Sequence, residues 1–321
     1  MEYVLKTFHS VNTLLFSKLN IYAFLRDAKD IAVSCFKFMK QFPLKCCLRY
    51  PGGKSKALKT LTPWIPSDFK EYREPFLGGG SLALLVSQNY PKVPIWVNDK
   101  YFYLYNFWIQ LRDKGQQLSQ RLREIKEEVN GDDAAHKELF NDYANTIADL
   151  EPFNQAVAFY VMNKCSYSGL TENSKFSVQA SKSNFTLMSI DKLPLFSNII
   201  QNWKITNLDY ESVMNEKGED VFMFLDPPYN IKDFLYGTKA ELHSSFSHQR
   251  FADDVKKCPH RFMLTYNQND WIMETYKDYN VQDWKIRYFM QHRGEKGTQD
   301  NVKTELLITN YSLTVPALDT P

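Results

Sequence analysis

The chain has 321 residues, 44% of them hydrophobic, with 39 Lys and Arg against 37 Asp and Glu and a net charge of +2. This is ordinary globular composition, enough for one large domain with an insert or for two domains, and the net charge does not announce a nucleic-acid partner. The five cysteines, Cys35, Cys46, Cys47, Cys165 and Cys258, are odd in number and form no CxxC pair, which argues against a disulfide framework or a zinc site and fits a reducing cytoplasm.

Residues 1–46 read as an N-terminal helical extension. The stretch from Val11 to Phe38 is apolar in patches, but Lys18, Arg26, Asp27 and Lys29 interrupt it. A membrane span needs about 20 uninterrupted apolar residues, and the layout is not that of a cleaved signal. One or two amphipathic helices are predicted. From Ile31 to Ser67 there is no acid, while Lys37, Lys40, Lys45, Arg49, Lys54, Lys56 and Lys59 all fall there. Such a segment suits a phosphate backbone or a solvated basic face.

Residues 47–108 open a doubly wound sheet. YPGGK (Tyr50 to Lys54) reads as a turn followed by a short helix ending near Trp64. Its GGKS end is not a P-loop, because Leu48 stands where that motif requires glycine. YREPF leads into GGGS and the apolar helix SLALLVSQ, and a second strand, PIWV, ends at Asn98 and Asp99. Residues 109–200 then break the alternation. Leu111, Leu118, Leu122, Ile125 and Val129 keep helical spacing, as do Leu139, Phe140, Tyr143 and Ile147 after a break at Asn130 and Gly131. A third helix is predicted over Phe153 to Asn163, before a Ser-rich stretch, Ser166 to Ser189, expected to be a loop or hairpin.

Residues 201–314 return to strands: WKITNL, VFMFL, RFMLTY, VQDWKIRYF and TELLITNY. The last two, joined without a helix, are expected to pair antiparallel. Residues 315–321 form a tail. The fold class is α/β: a seven-stranded, mostly parallel methyltransferase-type sheet with a terminal antiparallel hairpin and a mainly helical insert.

Two motifs carry chemistry. Gly78, Gly80 and Ala83 satisfy the dinucleotide fingerprint, with Asp99 about 20 residues on to accept hydrogen bonds from ribose hydroxyls. Alone this fits NAD, FAD and S-adenosyl-L-methionine proteins, or a tight turn packing helix on strand. The second is FLDPPYN. An apolar run ending in Asp226, Pro227, Pro228 and Tyr229 reads as a buried parallel strand delivering an acid to the sheet's ligand-binding edge. The prolines stiffen a loop that has carbonyl acceptors and no donors there. Asp226 and the Pro227 carbonyl, accepting from the exocyclic amino group of adenine, would free its lone pair for attack on a sulfonium methyl, while Tyr229 offers a face for the base.

In order, YPGGK, EPFLGGGS, VND, NLDYESV and LDPPY resemble the Dam-like DNA adenine methyltransferases, from about Leu48 to Tyr311. The resemblance implies S-adenosyl-L-methionine as cofactor and double-stranded DNA as partner, with no metal and no membrane. It implies a cofactor pocket of Tyr50, Lys54, Glu74, Pro75, Phe76, Gly78, Gly80, Asp99, Asp209 and Asp226. Tyr50 also reads as a core aromatic, Lys54 as a surface charge, and Asp209 as a cap of the helix that follows it. Tyr160 to Phe176 resembles the family's recognition segment. There Tyr167 corresponds to a side chain inserted where a base flips out, and Arg49, Lys164, Ser168 and Glu172 complete the expected DNA contacts. Relatives that methylate GATC carry arginine two residues after Gly-Leu. Glu172 stands here and can accept from a cytosine amino group, so a site other than GATC is expected.

A cognate restriction endonuclease is a possible partner. The competing readings are an RNA or protein amide methyltransferase, a nicotinamide-dependent oxidoreductase and a non-catalytic DNA-binding protein. Asp226 and the large insert favour DNA adenine methylation.

Overall fold

The computed structural model describes residues 44, 46–129, 131–169, 171, 174–229, 246–287 and 302–312. The amphipathic helices expected over residues 1–46 lie outside these, apart from residues 44 and 46, as does the expected tail.

Seven strands form one sheet: β1 (Glu71–Glu74), β2 (Ile95–Asn98), β3 (Trp203–Thr206), β4 (Val221–Leu225), β5 (Arg261–Asn267), β6 (Asn280–Arg287) and β7 (Val302–Thr309). Their order is β3-β2-β1-β4-β5-β7-β6. The first five are mutually parallel, in registers such as Tyr72 opposite Ile95 and Phe222, while β7 runs antiparallel to both β5 and β6. The terminal pair is the antiparallel unit the sequence predicts. Strand β4 is buried at every position, which explains its continuous apolar run: both of its faces are covered, so no position is free to be polar.

The helices are α1 (Leu58–Leu61), α2 (Ser81–Asn89), α3 (Phe102–Glu128), α4 (Asp133–Thr146), α5 (Pro152–Cys165), α6 (Val178–Asn184), α7 (Leu187–Ile190), α8 (Leu193–Ile199), α9 (Tyr210–Met214), α10 (His248–Lys257) and α11 (Asp270–Thr275). Helix α3 begins well before Leu111 and spans the 108/109 boundary; its non-helical point is Lys114 (φ −134°, ψ 31°). Helices α3 and α5 pack together, with Phe107 stacked on Tyr160 at 5.8 Å. The Ser-rich stretch is a hairpin only at its start, where Ser166 bridges Phe176 antiparallel. Its second half is helical, because Ser177 and Thr186 accept hydrogen bonds from the first turns of α6 and α7. Serine there is a start signal, not a loop signal.

One apolar core joins β4, β5 and β7 to α9, α10 and α11 through Met214, Val221, Met223, Phe251, Phe262, Leu264, Ile272 and Ile308. After β1 the chain builds outward through β2 and β3, then returns to place β4 on β1's other side. The carboxyl ends of β1 and β4 therefore flank the point where the winding reverses, the crevice position of open α/β sheets.

Candidate active site

The loop leaving β1 and the loop leaving β4 meet at this crevice. Asp226, the residue after β4, receives the Lys54 ammonium at 2.7 Å on Oδ1 and 2.8 Å on Oδ2, and Lys54 also donates to the Gly52 carbonyl at 3.0 Å. Lys54 is 4% exposed and Asp226 19%. Thr265 of β5 donates to Asp226 Oδ1 at 2.8 Å. A carboxylate has about four lone-pair sites, so three donors leave it room to accept one more, from a substrate amino group. Pro227 is buried and Pro228 half-buried. Tyr229 is held on three sides: Lys54 Nζ lies 4.9 Å from its ring centre, the Tyr266 ring stacks at 5.9 Å, and its hydroxyl donates to Glu305 Oε2 at 3.0 Å.

Beside this cluster is the glycine loop. Gly78 and Gly80 have φ of +51° and +65°, in the left-handed region. The Gly78 N–H donates to Asp99 Oδ2 at 2.8 Å and the Tyr101 N–H to Oδ1 at 2.9 Å. Burial nonetheless pushes the Asp99 carboxyl up to about 6, against the pull of those two N–H groups. A carboxyl in that condition is stabilised by further hydroxyl donors, so its surroundings fit a bound ribose. The Tyr50 ring lies against the loop: a Cβ on Gly78 would fall 2.9 Å from its Cε1. Gly78→Ala is therefore expected to destabilise the chain by about 2–3 kcal/mol, from left-handed strain and displacement of Tyr50. Urea unfolding reads this directly, and an unchanged midpoint would show that the loop tolerates a side chain.

Asn98 ties the strand ends together. Its amide donates to the carbonyls of Pro75 and Leu208, both at 3.1 Å, and its oxygen accepts from Thr206 and the Leu208 N–H, both at 2.8 Å. Phe76 sits in an aromatic group with Tyr210, Phe246 and Phe251, at centre distances of 5.4, 5.9 and 5.6 Å. Glu74 is fully buried under the site, accepting from the Tyr72 hydroxyl at 2.7 Å, and burial holds its carboxyl well above the usual range. Asp209 is the N-cap of α9 and pairs with Arg250 at 3.3 Å, leaving it half-exposed.

Of the residues expected to meet DNA, Arg49 lies against the turn that carries Tyr167 and Ser168, and Lys164 is buried in the helix before that turn. Asn163 of α5 clamps the Arg49 backbone, accepting from its N–H at 2.9 Å and donating to its carbonyl at 2.7 Å; the guanidinium donates to the Ser166 carbonyl at 2.6 Å. Gly169, at φ +78°, passes so close that a Cβ would lie 2.3 Å from the Arg49 carbonyl oxygen. Tyr167 and Ser168 lie in the preceding single-turn helix, with Tyr167 54% exposed. Lys164 is instead buried over the Tyr160 ring at 5.2 Å, and burial lowers its pKa. Glu172 lies outside the described residues. Tyr101, next to the cofactor acid, brings its hydroxyl to 3.2 Å from that of Thr171. The turn carrying Tyr167 is thus joined to the chain on both sides of the crevice.

Thr265, Asn98 and Glu305 were not singled out from the sequence. The only signal for Thr265 is a hydroxyl inside the apolar middle of its strand, and Glu305 stands among other polar residues with no local signal. Among the described residues no cluster of His, Cys, Asp or Glu is arranged to hold a metal ion, and no helix is long and apolar enough to cross a membrane.

A doubly wound sheet with a terminal antiparallel pair, a glycine loop and a DPPY corner at its switch point defines an amino-methyltransferase. The sequence profile of the D12 class N6 adenine-specific DNA methyltransferases matches residues 50–290, and the chain belongs to that family. It is 24% identical to the type II methyltransferase M.MjaIII of Methanocaldococcus jannaschii, over 84% of this chain and 99% of the relative. It is 25% identical to the type II methyltransferases M1.LlaDCHI of Lactococcus lactis subsp. cremoris and M.CviBI of Paramecium bursaria Chlorella virus NC1A. Those matches cover 82% and 84% of this chain and 94% and 100% of the relatives. The chain is a DNA adenine methyltransferase.

Proposed function

We propose that the methyl donor is S-adenosyl-L-methionine and that the acceptor is the amino group of an adenine swung out of double-stranded DNA. The observation that carries this is Asp226, with one acceptor position to spare, beside the Gly78–Gly80 loop and Asp99. Gly78 and Gly80 approach the nucleoside of the donor, Asp99 takes its ribose hydroxyls, and Tyr50, Pro75 and Phe76 wall the pocket, with Asp209 at its rim. When bound, the donor supplies an electrophilic methyl on a positively charged sulfur.

This chain's own groups act on the acceptor. Asp226 and the Pro227 carbonyl accept from the adenine amino group and favour a nitrogen with a free lone pair, while Pro228 keeps the corner rigid. Tyr229 contacts the base, and Lys54 keeps a positive charge against Asp226. In a duplex the amino group is paired and out of reach, so flipping is required. The exposed ring of Tyr167 is suited to fill the gap, and the sequence assigns the remaining DNA contacts to Arg49, Lys164, Ser168 and Glu172. Glu172 disfavours guanine at its position, so the preferred site differs from GATC. The type II relatives support a restriction endonuclease acting on the same sequence as a partner.

Purified chain incubated with methyl-labelled donor and unmethylated DNA, RNA or protein tests the reading. Label is expected in DNA alone, at adenine N6. Label confined to RNA or protein would overturn it, and methylated-base sequencing showing modification only at GATC would overturn the site preference.

A further inference from the structure

Thr265 stands in the buried middle of β5, and the sheet register decides what its hydroxyl meets. Leu225 and Leu264 are the last paired residues of the parallel strands β4 and β5, so Asp226 and Thr265 are the next residue along on each chain. They stand side by side at the carboxyl end of the sheet. Side chains alternate between the faces of a strand: Leu225, Leu264 and Tyr266 enter the core with α9, α10 and α11, and Thr265 projects from the opposite face. It is fully buried there and donates its hydroxyl proton to Asp226 Oδ1 at 2.8 Å.

Lys54 by itself leaves the two oxygens of Asp226 equivalent, because its ammonium lies 2.7 Å from Oδ1 and 2.8 Å from Oδ2. Thr265 breaks that symmetry. Each carboxylate oxygen has about two lone-pair directions, so Oδ1 is filled by Lys54 and Thr265, whereas Oδ2 receives Lys54 alone among the described residues. On the proposed reading of the site, we infer that Thr265 is a positioning residue for methyl transfer: it closes Oδ1 and leaves Oδ2 as the oxygen that accepts from the target amino group. The two oxygens of Asp226 then have separate tasks, one facing the protein and one facing the base.

The need for such a residue follows from what else is fixed at the corner. The proposed second acceptor, the Pro227 carbonyl, belongs to backbone that two consecutive prolines stiffen, but a carboxylate turns easily about its last torsion. An acceptor turned out of line costs rate, since both must meet one amino group at once. Lys54 cannot prevent that turning any further: its three protons are engaged by the Gly52 carbonyl and the two Asp226 oxygens. Thr265 can. Its branched Cβ holds the hydroxyl on a stiff torsion, and it is mounted on a hydrogen-bonded strand, not on a loop.

The test uses full-length protein, S-adenosyl-L-methionine and an unmethylated duplex, with single-turnover methylation as the rate so that product release does not mask the chemical step. Thr265→Val keeps the shape of the side chain and removes the hydroxyl. It is expected to slow methyl transfer by about 30-fold while the KM for the methyl donor stays within about twofold, because the loss falls on geometry in the transition state. Thr265→Ser restores the donor and should stay within about threefold of wild type. In an Asp226→Ala background, where the carboxylate is gone, Thr265→Val should change the residual rate by less than about twofold. A duplex with 2-aminopurine at the target has no 6-amino group for Asp226 to hold, so its fluorescence on flipping should be alike in wild type and Thr265→Val. The inference is overturned if Thr265→Val keeps the wild-type rate, if Thr265→Ser is as slow as Thr265→Val, if the loss is the same with and without the carboxylate, or if the flipping signal is lost with the hydroxyl. Should Thr265→Val fail to fold, Thr265→Ser against Thr265→Ala differs by the same hydroxyl and gives the same comparisons. Wild-type protein that methylates no adenine would instead remove the reading of the site beneath it.

Discussion

Asp226→Ala is expected to lower methyl transfer by at least about 10³-fold and also to destabilise the chain by about 3–5 kcal/mol. Two losses are combined in that result. The first is the acceptor for the adenine amino group, acting in a site where water competes poorly. The second is the counterion of Lys54, an ammonium 4% exposed with both carboxylate oxygens within 2.8 Å. Removing one partner of such a pair strands the other charge. Replacing both does not, so Lys54→Met combined with Asp226→Ala should recover most of the lost stability while recovering none of the activity. Urea unfolding and single-turnover methylation on the wild type, Asp226→Ala and the double variant separate the two effects. A double variant as unstable as Asp226→Ala alone would mean that the pair is not the source of the cost.

The same pair marks the limit of what the sequence makes legible. Strand β4 is readable because a run covered on both faces must be apolar, the polar β1 only because a glycine loop and an apolar helix follow it, and the DPPY corner because an acid and two prolines after a buried strand have few other uses. Helix α3 is read late: Tyr101 to Trp108 is rich in aromatics, which favour strands locally, and only packing against α5 makes the segment helical. Helices α6 and α7 are missed because serine is a turn former in isolation and a cap only when a helix follows. In the site, Lys54 and Asp226 are 172 residues apart, and Glu305 lies 76 beyond Tyr229. No local pattern connects them. A sheet that reverses its winding at β1 and β4 does, and that order follows from long-range pairing. Lys164 shows what local composition leaves out: a basic residue in a recognition-like segment reads as a DNA contact, whereas its burial is set by a helix covered on every side.

The last expectation concerns pH. Glu305 in the folded chain titrates at about 7 against an ordinary 4.5, and Asp99 at about 6 against 3.8, both raised chiefly by burial. Between those values the native state binds more protons than the unfolded one, so stability falls as pH rises. The contribution is fully present below about pH 4 and lost by about pH 7. Glu305→Gln cannot ionise. Relative to wild type it should gain nothing near pH 4.5 and about 2–3 kcal/mol at pH 8. Asp99 behaves differently, because its proposed role supplies the missing donors: ribose hydroxyls bonded to the carboxylate stabilise its charged form. S-Adenosylhomocysteine should accordingly bind more tightly, and raise the unfolding midpoint further, at pH 8 than at pH 5. Denaturation curves across that range, with and without this product, measure both effects. A Glu305→Gln difference that stays constant with pH would show that burial does not raise the pKa of Glu305 in the folded chain. A ligand effect independent of pH would show that Asp99 does not hold the ribose.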